Sequence, residues 1–285
     1  MVILRTNKYN KRAICFILLC LVANTVLFGQ KTKPKLALLL AIKGEAYVNS
    51  KSGENRLNIP YFFENNDVIT VKTGSVELLQ ANGEEIKLEA GKTHKITLGK
   101  DTESLKIDEF YINLSKERYF TQSQSNSALT VRGQSVNVVL FPISSKLANI
   151  DNAFITVDFK TTEEVIVELE VFNMLNNELV YSNKNISKTE IALNEIPLQQ
   201  GHDYIWMIKA DEKETDQIGL ITYLDKTKQE TLQQFELNNK IDFLKAYQYY
   251  TNNELWFAAK HTIKLGTEKY PETDLFGYLM KVMLK

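Results

Sequence analysis

The sequence predicts a mainly β protein in which two antiparallel β domains precede a short C-terminal helical region. Apolar and polar residues alternate in short runs, and turn-forming residues recur about every ten positions, which predicts the β domains. The apolar spacing changes to three and four residues after position 227, which predicts the helices. The 285 residues, 44% hydrophobic and 24% charged, have the composition of a globular protein with a sizeable core.

The first 29 residues have the pattern of an export signal. An unbroken apolar run at 13–23 follows a segment whose charged residues are all positive: Arg5, Lys8, Lys11 and Arg12. The run is shorter than the roughly 20 apolar residues that a membrane-spanning helix needs, so it suits a signal peptide. We expect cleavage after Gly29, and the alternative is an uncleaved N-terminal membrane anchor.

Removal of this segment would change the cysteine content and the charge of the chain. Cys15 and Cys20 both lie within it, so the exported chain would have no disulfide, thiol nucleophile or cysteine metal ligand. Without the four positive residues of the signal, 30 of the 34 Lys and Arg remain against 35 Asp and Glu, a net charge of −5. Nucleic acid and an anionic membrane surface are therefore not expected partners. Export without disulfides favours a bacterial envelope, either the periplasm or a secreted, outer-membrane-associated location.

Short strands and turns predict the first β domain at 33–108. Strands are expected at 43–48, 67–71, 76–79, 86–88 and 96–98. Residues 72–75 are typical of a turn, and Asn82 and Gly83 are typical of a two-residue hairpin turn in which both residues need a positive φ. Such short, evenly spaced strands indicate a small antiparallel sandwich or roll.

This stretch resembles the FecR-like domain of bacterial envelope proteins. The matching residues lie at 44–48, 66–70, 74–78 and 82–88, and at Gly91. The resemblance implies a β domain outside the inner membrane, which in the best-known members relays the signal of an outer-membrane transporter to a sigma factor. Those members carry a cytoplasmic anti-sigma segment, whereas residues 1–12 precede the apolar run here, so a periplasmic signal-sensing role is kept as an alternative function.

The polar segment at 109–127 is expected to be a linker, and alternation resumes at 128–227. Strands are expected at 136–141, 153–159, 165–172, 178–181, 189–193, 204–208 and 219–224, with a hairpin turn at Asn176 and Asn177. Tyr204 and Trp206 share one face of a strand and follow Gly201, a pattern that resembles immunoglobulin-like and fibronectin-like sandwiches. We expect both aromatic residues in the core, and the alternative is an exposed binding platform.

The last region, 228–285, is predicted to be a helical hairpin plus a third helix. Its first apolar stripe contains Leu232, Phe235, Ile241, Leu244 and Tyr247. Asn252 and Asn253 break this stripe and are suited to cap the second helix, and Thr273 is suited to cap the third. The spacing from Tyr250 to Pro271 resembles one tetratricopeptide unit, too little for a repeat array. The hairpin is expected to dock on the sandwich or on a partner.

Residues that could carry catalysis, a cofactor or a metal ion do not form a known pattern in the sequence. His94, His202 and His261 fall in three different regions without metal-ligand spacing. Motifs for a serine nucleophile, a phosphate-binding loop or a dinucleotide site are absent from the sequence. Paired carboxylates such as Glu163 and Glu164 are typical of solvated turns rather than of a glycosidase site. We therefore expect no enzyme activity, cofactor or metal ion.

Two aromatic groups are candidate partner-binding residues. Tyr61, Phe62 and Phe63 follow Pro60 in an expected loop, where they would form either an exposed contact patch or a buried plug. The second group lies in the helical region and consists of Tyr249, Tyr250, Trp256 and Phe257. Aromatic residues are frequent at protein interfaces, and the alternative is that these four pack on the preceding sandwich.

The leading interpretation is a non-enzymatic envelope protein that acts as a protein-interaction module, with an envelope protein as its partner. A periplasmic signal sensor of the FecR type is one alternative, and it would gain from a membrane-retained N-terminal segment. A carbohydrate-binding sandwich is another, and it requires Trp206 or other aromatic residues on an exposed flat face. An enzyme with an unfamiliar site would require carboxylates from separate strands to line one pocket.

Overall fold

The computed structural model describes residues 34–97, 106–111, 128–131, 134–142, 144–160, 167–184, 190–210 and 213–283. The expected signal at 1–29 and residues 112–127 of the expected linker lie outside the described residues. The described chain from Lys35 onward belongs to one compact unit. Antiparallel sheets dominate it, and its helices lie near the C-terminus, so the predicted fold class is confirmed.

The first sheet has six strands and lies within residues 35–95. Its members are β1 (Lys35–Ser50), β2 (Gly53–Arg56), β3 (Phe62–Glu64), β4 (Val68–Gln80), β5 (Glu85–Glu89) and β6 (Thr93–Lys95). The central order is β2-β1-β4-β5, with β3 paired to β1 and β6 paired to β4, and every pair is antiparallel. The long antiparallel pair of β1 and β4 therefore forms the centre of this sheet.

Residues 72–75 do not form the predicted turn, because β4 runs through them. Gly74 pairs directly with Gly44 of β1, and both glycines have a positive φ. A Cβ at Gly74 would lie 1.9 Å from the carbonyl oxygen of Lys43, so only glycine permits this approach. The two glycines thus bend a continuous pair of strands where the sequence predicted a chain reversal.

The predicted hairpin at Asn82 and Gly83 is present, but with a longer loop than predicted. Gly83 has φ 90°, whereas Asn82 does not have a positive φ. The amide of Gly83 donates to the carbonyl of Gln80, and the amide of Gln80 donates to the carbonyl of Glu84. This pattern is a three-residue loop with glycine in the left-handed position, so the expectation of two positive φ values was wrong.

Within the described residues, nine strands in two sheets form the second β part. They are β7 (Ala128–Val131), β8 (Gln134–Phe141), β9 (Ser144–Leu147), β10 (Phe154–Lys160), β11 (Val167–Asn173), β12 (Leu179–Lys184), β13 (Glu190–Ala192), β14 (Asp203–Ala210) and β15 (Lys213–Tyr223). One sheet has the order β13-β10-β8-β7, and the other has the order β12-β11-β14-β15-β9, in which β9 is parallel to β15. Buried residues of both sheets, such as Ile155 and Leu169, share one core, which makes this part a sandwich.

Tyr204 and Trp206 lie in the sandwich core, as expected. The Tyr204 hydroxyl accepts a hydrogen bond from the amide of Gln199 at 2.8 Å, the arrangement found at the corner before a late strand of immunoglobulin-type sandwiches. Trp206 is fully buried and pairs across the sheet with Gly219 of β15. A Cβ at Gly219 would lie 2.0 Å from the indole ring, so the ring occupies the space above this glycine.

The helical region consists of α1 (Lys226–Glu230), α2 (Lys240–Asn252), α3 (Trp256–Lys269) and α4 (Asp274–Met283). Asn239 caps α2 through a reciprocal pair of hydrogen bonds with Asp242. Asn253 ends α2, since its side chain donates to the carbonyl of Tyr249, and it does not cap α3 as predicted. Leu232 and Phe235, predicted on the first helix, lie in the connection between α1 and α2.

The helices pack on both β parts of the chain. Their main core joins Leu38 and Leu40 of β1 to buried residues of three helices: Phe243, Leu244, Tyr247, Ala259, Ile263, Leu275, Phe276 and Leu279. Phe257 of α3 packs instead into the sandwich core. Phe110, inside the expected linker, is buried against Tyr247, so the helical turn at 107–111 also belongs to the core.

Gly219→Ala is expected to lower the free energy of unfolding by about 3 kcal/mol, because the added methyl group overpacks the fully buried Trp206 ring. Urea unfolding followed by tryptophan fluorescence measures this loss. The matched control is Gly277→Ala in α4, where an added Cβ meets nothing within 4 Å. This control should gain about 0.5–1 kcal/mol from helix propensity. Equal effects at the two glycines would contradict the assigned packing of Trp206.

Candidate interaction surfaces

The aromatic triple at 61–63 does not form an exposed patch. Phe63 is fully buried in the core of the first sheet, and Phe62 lies against Phe110 and Tyr111 with ring centroids 6.2 Å and 5.1 Å apart. Tyr61 is half-buried, and burial, followed by the charges of Asp67 and Glu64, raises the pKa of its phenol. The three residues therefore match the buried plug rather than the exposed contact patch. The prediction that Phe63 binds a partner was wrong, because its side chain is fully buried.

Tyr249 and Tyr250 hold the connection between α1 and α2. Both rings contact Phe235, with centroids 5.4 Å and 5.7 Å away. The Tyr249 hydroxyl accepts a hydrogen bond from the amide of Gln233 at 3.0 Å. Burial, and then the neighbouring Tyr249, raises the pKa of Tyr250. These contacts use the two tyrosines within the chain, although neither side chain is fully buried.

Trp256 and Phe257 join α3 to the other parts of the molecule. Phe257 is buried in the sandwich core, so the prediction that it binds a partner was wrong. Trp256 is partly buried against the core of the helices, and its amide donates to the Ser145 hydroxyl at 3.1 Å. Ser145 belongs to β9, so the backbone of Trp256 contacts the sandwich while its side chain packs with the helices. Of the four aromatic residues, only Phe257 packs into the sandwich core, as the alternative predicted.

The turn between α2 and α3 covers the outer edge of β9. Glu254 has φ 61°, an uncommon value for a residue with a side chain. Its carbonyl accepts a hydrogen bond from the amide of Lys146 at 2.9 Å, and its carboxylate pairs with the Lys146 ammonium at 2.9 Å. The free edge of the five-stranded sheet on this side is therefore closed by the chain itself.

Two nearly buried lysines each form an ion pair that attaches a helix to one of the two β parts. Lys240 of α2 reaches Glu77 of β4 at 3.0 Å, and also Glu85 and Glu272 at 3.4 Å and 3.7 Å. Burial lowers the pKa of Lys240, but the hydrogen bond and charges of Glu77 and Glu85 outweigh burial and hold the pKa above its usual value. Lys240 is therefore stabilised in its charged form where it contacts the first sheet.

Lys260 of α3 makes the corresponding contact with the sandwich. Its ammonium donates to Glu190 of β13 at 2.9 Å and to the hydroxyl of Thr156 on β10. Burial lowers the pKa of Lys260 by more than Glu190 raises it, whereas the hydrogen bond from Lys260 lowers the pKa of Glu190. Glu190 therefore stabilises a cation that would otherwise be costly to bury.

An apolar surface that the sequence analysis missed lies on the five-stranded sheet, on the side facing away from the sandwich core. Strand register aligns Leu179, Phe172, Ile205 and Leu220 in one row across β12, β11, β14 and β15. Met207 and Ile218 pair in the next row, and Met174 and Leu175 lie at the adjoining hairpin. We call these eight residues the outer apolar face.

The outer apolar face is exposed to solvent. The exposed fractions of its most open residues are 83% for Leu175, 55% for Ile218, 48% for Leu179, 45% for Met174 and 37% for Leu220. These values correspond to roughly 400–500 Å² of apolar surface, a size at which a patch on a monomer is often functional. Phe172, Ile205 and Met207 are partly exposed between them.

Paired charges border the outer apolar face on one side. Glu170 on β11 is paired with Met207 on β14, and its carboxylate lies 2.7 Å from the ammonium of Lys209, its diagonal neighbour on β14. Glu168 accepts a hydrogen bond from the Ser182 hydroxyl at 2.7 Å and lies 4.0 Å from the ammonium of Lys184. The border therefore contains two carboxylates and two ammonium groups that neutralise one another.

A signal for this face is present in the sequence. The run at 204–208, Tyr-Ile-Trp-Met-Ile, has no polar residue on either side of the strand. A strand of an antiparallel sheet that faces water on one side alternates apolar and polar residues. The absence of alternation in β14 therefore indicates that both of its faces are apolar. The candidate binding residues predicted from the sequence were groups of aromatic residues, so they did not include this face.

Metal-ligating side chains and membrane-spanning helices are two further features that could carry a function. That part of the chain has no group of three or more His, Cys, Asp or Glu residues placed to hold a metal ion. Nδ1 of His202 lies 3.1 Å from the side-chain amide nitrogen of Asn173. Burial lowers the pKa of His261 on α3. No helix within the described ranges is long and apolar enough to cross a membrane.

Comparison with known proteins does not assign the chain to a family. No family model matches the sequence, and no curated protein matches it. Among solved structures, the chain is similar to a β-glucuronidase of Faecalibacterium prausnitzii, with 10% identity and a TM-score of 0.20. The match covers 67% of this chain and 35% of the enzyme, and a similarity this weak assigns neither a fold nor an activity.

Glu190→Gln is expected to lower the free energy of unfolding at pH 7 by about 1–2 kcal/mol. The change leaves the buried Lys260 without its carboxylate, and solvent screens part of the effect because the Glu190 side chain is 38% exposed. Since the folded pKa of Glu190 is lowered from 4.5, its contribution is complete above that pH and is lost as the pH falls through the folded value.

Urea unfolding of both proteins between pH 3 and pH 7 measures this dependence. The difference between wild type and Glu190→Gln should be constant near neutral pH and shrink in acid. The exposed Glu195, which follows shortly after β13, supplies the control variant Glu195→Gln. A difference that stays constant down to the lowest pH would show that Glu190 does not stabilise the fold through its charge.

Proposed function

We propose that this chain is a non-enzymatic protein of the bacterial envelope that acts as a protein-interaction module, and that it binds its partner through the outer apolar face. The observation that carries the proposal is the exposure of Leu175, Ile218, Leu179 and Leu220 on one side of a sheet whose other side is the sandwich core. Covering these side chains removes apolar surface from water, which is the main favourable term in protein association.

The aromatic residues that the sequence predicted to bind a partner support this location by elimination. Phe63 and Phe257 are buried, Tyr249 contacts the connection between α1 and α2, and Trp256 is partly buried against the core of the helices. These side chains are therefore occupied within the molecule. The outer apolar face is different, because its most exposed residues have no such role in the described part of the chain.

Expected export agrees with the proposal. The positive residues and apolar run at 1–29 are typical of a signal peptide, and the remaining chain has no cysteine and a net negative charge. The partner expected from this chemistry is an envelope protein rather than nucleic acid.

A glycan-binding role is less well supported by the same residues. The proposed platform needed Trp206 at the surface, and this side chain is fully buried under Gly219. The outer apolar face has aliphatic residues at its most exposed positions, whereas sugar rings would need an exposed flat aromatic side chain. The apolar character of the face therefore favours a protein partner.

Affinity capture from envelope extract tests the proposed function. The wild-type chain should retain a protein that Leu220→Lys loses at least tenfold, because the new charge would be desolvated in the interface. Leu220→Val keeps an apolar β-forming residue there and should retain the partner. Asn55→Lys adds the same charge on the exposed β2 and serves as the control. Recovery of the same proteins with Leu220→Lys as with wild type would contradict binding through this face.

A further inference from the structure

Resting on the proposed function, we further propose that His202 makes binding at the outer apolar face sensitive to pH. The neutral ring of His202 contacts the side chain of Asn173, and Asn173 in turn holds the hairpin that carries Met174 and Leu175. Protonation of the ring breaks this arrangement, so the partner binds less tightly in acid.

The hairpin between β11 and β12 carries the most exposed side chain of the outer apolar face. Leu175 is 83% exposed, and Met174 beside it is 45% exposed. The amide of Asn173 donates to the carbonyl of Glu178 at 2.9 Å, and the amide of Met174 donates to the carbonyl of Asp203 at 3.0 Å. The Leu175 amide donates instead to a side chain, the Oδ1 atom of Asn173, at 2.8 Å. The position of Leu175 therefore depends on the orientation of one side-chain amide.

The hydrogen bonds of Asn173 determine the protonation state of His202. A backbone N–H group only donates, so the Asn173 atom that faces the Leu175 amide must be the oxygen. The side-chain nitrogen of Asn173 then faces Nδ1 of His202, at 3.1 Å. Because this nitrogen also only donates, Nδ1 must accept, and an accepting ring nitrogen carries no proton. These contacts require a neutral imidazole whose proton lies on Nε2.

A protonated His202 is incompatible with this orientation of Asn173. Two donors would then face each other at Nδ1, and Asn173 is only 8% exposed, so water cannot readily separate them. The imidazolium attracts the oxygen of Asn173 instead, because a charged donor makes the stronger hydrogen bond. Turning the amide to supply this oxygen removes it from the Leu175 amide. Protonation thus exchanges the bond that holds the hairpin for a bond to His202.

Other ionisable groups lie near His202, on the strands and turns packed beside it. They are Asp203 and Tyr204 on β14, Tyr223 on β15, Asp225 with its ion-pair partner Lys228 where α1 begins, and Glu178 on the hairpin. In the described part of the chain, none of these side chains forms a hydrogen bond or an ion pair with the imidazole. Carboxylates ordinarily change charge near pH 4 and phenols near pH 10, whereas an imidazole does so between about pH 5 and 8. A response of the hairpin in that range is therefore diagnostic of a histidine.

The direction of the effect follows from the form of His202 that the bound state requires. The hairpin that presents Leu175 contains the neutral ring, so binding is strongest above the pH at which the ring takes up its proton, and it weakens below that pH. The Leu175 amide then loses one hydrogen bond. A loss of this size corresponds to about a tenfold rise in the Kd of the partner.

Nuclear magnetic resonance of the isotope-labelled chain tests the switch without a partner. At pH 8 the ring of His202 should carry its proton on Nε2. Between pH 8 and pH 5 the Leu175 amide proton should move upfield, since it loses a hydrogen bond, and its midpoint should equal that of the His202 ring protons. A proton on Nδ1 at pH 8, or a Leu175 amide that does not follow the ring, would overturn the inference.

His202→Gln supplies the matched variant for the same measurement. The side-chain oxygen of glutamine can accept the hydrogen bond from Asn173, but it takes up no proton in this pH range. The Leu175 amide should therefore keep one chemical shift from pH 8 to pH 5 in this variant. His261→Gln removes a histidine of α3 and should leave the response of Leu175 as in wild type. A response that persists in His202→Gln would assign it to another group and refute the role of His202.

Affinity capture from envelope extract at pH 8 and pH 5.5 tests the link to binding. The protein to be followed is the one that wild type retains at pH 8 and Leu220→Lys loses. Its retention by wild type should fall about tenfold at pH 5.5, whereas His202→Gln should retain it equally at both pH values. Equal retention by wild type at the two pH values, or the same fall with His202→Gln, would contradict regulation by His202.

The two proposals fail in different ways. If Leu220→Lys loses an envelope protein that wild type retains equally at both pH values, the proposed function stands and the regulation falls. If retention does not respond to Leu220→Lys at either pH, the outer apolar face binds no protein. The regulation then falls with the proposed function, even where the Leu175 amide follows the His202 ring.

Discussion

Burial of both faces of β1 is the constraint on which the rest of this structure depends. Leu39 points into the core of its own sheet, whereas Leu38 and Leu40 point into the core formed with the helices. A strand of an antiparallel sheet commonly leaves one face to water, and its sequence then alternates. The apolar run at 36–42 does not alternate, so the chain must supply a second cover, and the C-terminal helices are that cover. Although the helices come last in the sequence, the first strand depends on them.

Apolar packing alone would not fix where the helices lie, because the hydrophobic effect is non-directional. Directional contacts determine their position: Lys240 reaches Glu77 on the first sheet, and Lys260 reaches Glu190 on the sandwich. Both lysines need their carboxylates, since an unpaired buried charge is costly. The turn at Glu254 adds backbone hydrogen bonds to β9. The helical region therefore joins the two β parts through directional contacts as well as through apolar packing.

Features encoded over a few residues were predictable from the sequence, and those that depend on distant contacts were not. Strand alternation, the asparagine hairpins and the spacing of α2 to α4 identified the mainly β class and the helical end. The predicted turn at 72–75 was wrong because Gly74 faces Gly44, a partner thirty residues away. The aromatic residues chosen for binding were identified as contact residues, but the sequence could not show that Phe63 and Phe257 contact their own chain.

The same reasoning explains why the outer apolar face was missed and why we propose a partner for it. β1 and β14 share one sequence property, a run of apolar residues without alternation, and both are central strands whose sheet neighbours are antiparallel to them. In β1 the second apolar face is covered by helices of the same chain. In β14 the second face contains Ile205 and Met207, and the neighbouring Leu220 and Ile218 on β15 are exposed to solvent. In β1 an apolar second face has a cover from the same chain, and under the proposed function the cover of β14 is its binding partner.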